Sequence, residues 1–159
     1  MRPSDLCIDP ALPDRLRSPE NEELRRFFDY WQSKMTADRL PGRADIEPTE
    51  IPQLLPNIFL IDVVAGTPPR FCFRLVGTRI VEMEFEMTGR FLDEMVPQVY
   101  DTAMGRHYLD AIEGKIYLRR TDLRWRQREH IDYDVLLLPL ADDGMTVNRL
   151  FGLALYRRR

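Results

Sequence analysis

Phe71-Cys72-Phe73-Arg74-Leu75-Val76 runs directly into Gly77-Thr78-Arg79-Ile80-Val81-Glu82, and this stretch decides the fold. In its first half Phe71, Phe73 and Leu75 alternate with Cys72, Arg74 and Val76. A period of two belongs to a β-strand with one buried face and one mixed face. Gly77-Thr78 then turns the chain into a short helix over residues 79–85, with Thr78 as its N-cap and Gly89 breaking the pattern.

Upstream, residues 59–64 form a β-branched run that reads as a first strand, joined to the second by a connection holding Gly66, Pro68 and Pro69. Three prolines between 48 and 56 leave room for no more than a short helical turn, and Pro41-Gly42 is a turn. Earlier still, Ser18-Pro19 reads as an N-cap followed by proline at the first helical position. Glu20, Glu22 and Glu23 suit the positive end of a helix dipole. Leu24, Phe27, Phe28, Trp31 and Met35 recur at helical spacing, which predicts an amphipathic helix with an aromatic stripe. That stripe has two readings. It packs on its own domain, or Leu24, Phe27, Phe28 and Trp31 form a dimer or partner surface. Residues 1–17, rich in proline and charge, are expected to be a flexible leader to a single domain over 18–159.

Downstream, the spacing predicts a long helix over 93–114 with the stripe Val96, Val99, Tyr100, Ala103, Met104, His107, Ala111 and Ile112. Three strands follow, at 116–125, 131–140 and 147–156. The charged stretch 126–130 joins the first two, and the turn Asp142-Asp143-Gly144 precedes the last. Two strands, helices, then three strands do not make a doubly wound parallel sheet. The order predicts an α+β domain: a five-stranded antiparallel sheet with helices on one face and the N-terminal amphipathic helix added.

The chain of 159 residues fits one domain. With 44% hydrophobic and 31% charged residues it is composed to fold rather than to stay disordered. A net charge of −3 gives no bulk attraction for nucleic acid or an anionic membrane. No apolar run is long enough to span a bilayer. The first ten residues carry Asp5 and Asp9 and lack the apolar segment of a signal peptide. Cys7 and Cys72 are expected as free thiols in a reducing, cytoplasmic setting.

The order of elements resembles that of a PAS domain. The stretch from Phe71 to Glu82 resembles the signature of a family of short, stand-alone PAS-like proteins common in alphaproteobacteria. So do Leu40-Pro41-Gly42-Arg43-Ala44-Asp45-Ile46, Ile51-Pro52-Gln53-Leu54-Leu55-Pro56-Asn57-Ile58, Thr88-Gly89-Arg90-Phe91-Leu92-Asp93-Glu94 and Leu136-Leu137-Leu138-Pro139-Leu140. The likeness covers residues 24–156. The family pattern has a glycine-containing linker before Thr88-Gly89, whereas Met83-Glu84-Phe85-Glu86-Met87 is shorter and has no glycine. The resemblance implies sensing of a small molecule, cofactor or partner, with the state passed on through dimer contacts. No output domain is expected to follow, so output is expected in trans, on a signalling partner.

The residues themselves offer little catalytic chemistry. Ser4, Ser18 and Ser33 all precede the β core, and no Gly-x-Ser-x-Gly elbow exists. Cys72 in mid-strand reads as an inert thiol rather than a nucleophile. His107 and His130 are the only histidines, too few and too isolated for a zinc site. Gly114-Lys115 is followed by Ile116, which excludes a P-loop. Asp132 and Asp134 share a strand face, readable as an acid and base pair or as a solvent-facing edge. Arg119, Arg120, Arg124, Arg126 and Arg128, with Tyr117 and Trp125 interleaved, read as a single-strand nucleic-acid face, a solvated sheet face or a partner face; the acidic balance favours the solvated one. His107, inside an apolar stripe, needs a partner; the resemblance also implies a haem-ligand reading for it. Gly89 stands before Arg90-Phe91-Leu92 where flavin photochemistry would need a cysteine.

The leading expectation is therefore a non-enzymatic regulatory module acting by protein–protein contact as a homodimer, with no bound cofactor. The second is a small-molecule sensor whose apolar cavity is lined by Phe73, Phe85, Met95, Met104 and His107.

Overall fold

The computed structural model describes residues 1–124 and 127–159. Its centre is a five-stranded sheet made of β2 (Ile58–Val64), β3 (Arg70–Val76), β5 (Leu118–Leu123), β6 (Arg128–Leu140) and β7 (Arg149–Arg158), in the order β3-β2-β7-β6-β5. Every neighbouring pair is antiparallel. The expected α+β architecture is present. A two-stranded parallel pair, β1 (Cys7–Ile8) with β4 (Lys115–Ile116), lies beside it.

β6 and β7 are apolar on both faces because both faces are covered. Leu136, Leu138, Leu140, Phe151 and Leu153 face one side, with α1 (Leu12–Arg17) and α2 (Glu22–Ser33) packed on it. Tyr133, Val135, Leu137, Leu150 and Ala154 face the other, under α3 (Thr78–Met83), α4 (Leu92–Met95) and α5 (Ala103–Ile112). Gly152 makes room for Phe59 on this second side: a Cβ there would lie 2.2 Å from the ring.

The aromatic stripe of α2 is not a free surface. Leu24, Phe27 and Trp31 are fully buried and Phe28 nearly so. The rings of Phe27 and Phe151 stand 4.5 Å apart, and Trp31 Nε1 donates to the Pro139 carbonyl at 2.9 Å. The dimer-surface reading of these four residues is corrected accordingly, since the sheet face beneath them is apolar and claims them. Residues 1–17 are likewise no loose leader. Cys7 N donates to Gly114 O, Asp9 N donates to Ile116 O, and Leu12 and Leu16 are buried against α2.

Other departures have local causes. The helix expected over 93–114 is broken in two, because Pro97 has no N–H to donate and Gln98 takes a φ of 56°. Thr102 then caps α5, its hydroxyl accepting from Gly105 N at 3.2 Å. Leu75 leaves the face of Phe71 and Phe73 because a bulge opposite Leu60 and Ile61 shifts the register at Arg74. The strand expected over 116–125 divides into β4 and β5. Trp125 and Arg126, part of the strand and charged stretch expected there, lie outside the described residues. Gly77, not Thr78, occupies the N-cap position of α3, which ends at Met83.

Trp31→Ala is expected to cost about 3–5 kcal/mol in urea unfolding, through the cavity and the lost hydrogen bond. A loss under about 1 kcal/mol contradicts this packing.

Candidate functional site

The second face of the sheet carries an internal void. Phe59 and Phe73 floor it, their rings 6.0 Å apart. Met87, Leu92, Met95 and Met104 roof it. Arg70 ties the roof down: it pairs with Asp93 at 2.9 Å and with Glu94 at 3.0 Å on α4, and lies over the Phe91 ring at 3.9 Å. The free volume is about 40 Å³, space for a few waters and far below a pocket for a drug-sized ligand.

Polar groups enter this apolar chamber at one side: Glu84, Tyr108, Arg119 and Tyr133 all line it. Glu84 follows the last residue of α3, and its backbone, at φ −120° and ψ −91°, leaves the helical path. The Tyr156 hydroxyl donates to Glu84 Oε2, and the Tyr156 ring stacks on Tyr133 with centroids 5.4 Å apart. Burial first, and the Glu84 carboxylate second, push the Tyr156 phenol far above its ordinary range, so it stays a donor. Burial likewise pushes the Tyr108 phenol well up.

Arg119 differs from its arginine neighbours. Arg120 pairs with Asp134 at 2.8 Å, and Arg124 pairs with Asp122 at 3.2 Å. Arg119 instead donates Nε–H to His107 Nδ1 at 3.1 Å and makes no ion pair among the described residues. Together with Val96 and Met104 it lines both the void and an open groove of about 630 Å³ beside β5. These three side chains are the wall between chamber and solvent.

His107 is a satisfied core histidine. It is fully buried, and its Nε2 donates to the Tyr117 carbonyl at 3.1 Å while Nδ1 accepts from Arg119. Burial, then the neighbouring guanidinium, lower its pKa to about 3. With both ring nitrogens engaged and the ring outside the void, His107 does not fit as a haem ligand. Among the described residues no cluster of His, Cys, Asp and Glu gathers to hold a metal.

Of the expected cavity residues, Phe73, Met95 and Met104 line the void, whereas Phe85 and His107 do not. Phe85 sits half-buried with Arg90 5.6 Å over its ring. Glu84 and Tyr156 were not anticipated, and Arg119, read as part of a basic sheet face, lines the void instead. Glu84 had a signal, as a carboxylate in the segment where the chain departs from the family pattern. Leu123 fixes the inward parity of β5 and so points Arg119 at the void.

On the opposite face, Asp132 and Asp134 are no solvent-facing edge, because β6 is an interior strand. Asp134 is fully buried between Arg120 and Arg157, and Arg157 also donates to Glu20 O and Asn21 Oδ1 at the start of α2. Burial alone would raise its pKa. The two guanidiniums outweigh burial and hold it below the usual carboxylate range.

Cys7 is exposed and Cys72 half-exposed, both free. No helix among the described residues is long and apolar enough to cross a membrane.

Two outcomes follow from these charges. Nitrogen NMR at pH 5 is expected to find His107 neutral with its proton on Nε2; an imidazolium there contradicts the site. Asp134→Asn is expected to cost about 2 kcal/mol at neutral pH, less than a fully buried pair, since its partners are 50% and 25% exposed. A depressed carboxyl stabilises above its unfolded value and loses that contribution as pH falls. The gap between variant and wild type in urea unfolding should therefore shrink below about pH 4, and a constant gap contradicts the ion pair.

The family model described as a PAS domain matches residues 20–155. No match was found among curated proteins.

Proposed function

The chain belongs to the PAS domain family, a family of signalling regulatory modules, and on that footing we propose that it is a non-enzymatic sensor of a small amphiphilic anion. The ligand's apolar body takes the void, its charged end meets Arg119, and the output is contact with another protein in trans. The observation that carries this reading is Arg119 itself: a half-buried cation at the wall of an apolar chamber, with no ion-pair partner among the described residues. A guanidinium so placed favours a carboxylate far more than a neutral polar group.

The chamber has to enlarge to admit such a molecule. Met95 and Met104 make that inexpensive, since unbranched thioether side chains repack readily. Val96 and Met104 part toward the groove, and α4 moves on its Arg70 tether. Motion of α4 changes the surface that a partner reads. The contact reading thus keeps its place as output, with a seat away from the buried stripe of α2.

Calorimetry with hexanoate and with hexanol tests the reading. Hexanoate is expected to bind at least about ten-fold more tightly than hexanol. Arg119→Gln, which keeps a donor for His107, is expected to remove that preference. Equal affinities in the wild type, or no binding of either compound, would sink the proposal.

A further inference from the structure

A second recess lies on the far side of the Tyr156 ring. It is enclosed by the two ends of α3, the start of β6 and the end of β7, and has a volume of about 250 Å³. Arg79, Arg128, His130, Arg157 and Arg158 line it, and no carboxylate is among its described lining residues. In a chain of net charge −3 that concentration of cations needs a reason.

Two of these charges are balanced within the protein. Arg157 is held by Asp134, and Arg79 pairs with Glu82 at 3.2 Å on the rim. Two guanidiniums are not. Arg128 donates to the carbonyls of Met83 at 2.8 Å and Glu82 at 3.4 Å, neutral acceptors that fix its position without cancelling its charge. Arg158 has no hydrogen-bond or ion-pair partner among the described residues. Like charges gathered in a concave site raise the local potential and attract a counter-ion.

We propose that this recess binds a phosphate-bearing ligand through Arg128 and Arg158. A phosphoryl or diphosphoryl group carries the two or more charges that match the two unbalanced guanidiniums. Its tetrahedral oxygens accept paired N–H donors from arginine forks. The volume suits a diphosphate and is too generous for a monatomic anion. Arg128, anchored by two backbone carbonyls, meets the ligand without first being ordered, so less entropy is lost on binding. The site is distinct from the void, yet the two share a wall: Tyr156 lines the recess while its hydroxyl holds Glu84 in the chamber.

Calorimetric titration with inorganic pyrophosphate at fixed ionic strength tests the assignment. The wild type is expected to bind one equivalent saturably, and Arg158→Ala to weaken binding at least about ten-fold with an unchanged circular dichroism spectrum. Arg17→Ala removes another exposed arginine elsewhere and is expected to leave the affinity unchanged. Absence of saturable binding at millimolar pyrophosphate overturns the proposal. So does unchanged affinity in Arg158→Ala, or an equal loss in Arg17→Ala, which would mean unspecific charge attraction.

Discussion

Everything in this fold hangs on one constraint: the central strand pair, β6 with β7, is covered on both faces. An interior antiparallel pair offers apolar side chains to both sides, and each side has to be sealed against water. The N-terminal helices seal one and the α3–α5 layer seals the other. From this follow the burial of Leu24, Phe27, Phe28 and Trp31, the docking of residues 1–17, and the position of the void. A one-residue slip of β7 on β6 would exchange Phe151 with Leu150 and Leu153 with Ala154, emptying one core into the other.

The polar features of the two faces serve opposite ends. On the α2 face, Asp134 has its full complement of partners, two guanidiniums, one of which also reaches Asn21. That satisfied network clamps the start of α2 to the sheet and leaves nothing over for a ligand. On the other face Glu84 and Tyr156 hold each other, and among the described residues Arg119 makes no ion pair but donates to a neutral imidazole. On the proposed reading, that guanidinium is the charge an anionic ligand would meet.

Much of the fold was legible because its signals are local. The alternation in 71–76, the helical spacing in 24–35 and the turn at Asp142-Asp143-Gly144 each state their own element. What was illegible depends on distant partners. Nothing in residues 1–17 shows that Cys7 and Ile8 will pair with Lys115 and Ile116. The bulge at Arg74 arises between two strands and leaves no mark on one. The break of the long helix did have a mark, Pro97, which the continuous stripe from Val96 to Ile112 concealed. For the site, three of the five expected residues, Phe73, Met95 and Met104, line the void because their apolar side chains face the core. Glu84, Arg119 and Tyr156 were missed because charged and phenolic side chains at such positions are more often solvated.

The central claim is that the Arg119 chamber opens to take an anionic ligand. Amide hydrogen exchange with and without hexanoate tests it most directly. The account predicts slower exchange in residues 92–104 and at Arg119 when hexanoate is present, with α2 unchanged. Exchange that is unaltered at 92–104, or altered only at α2, would contradict it.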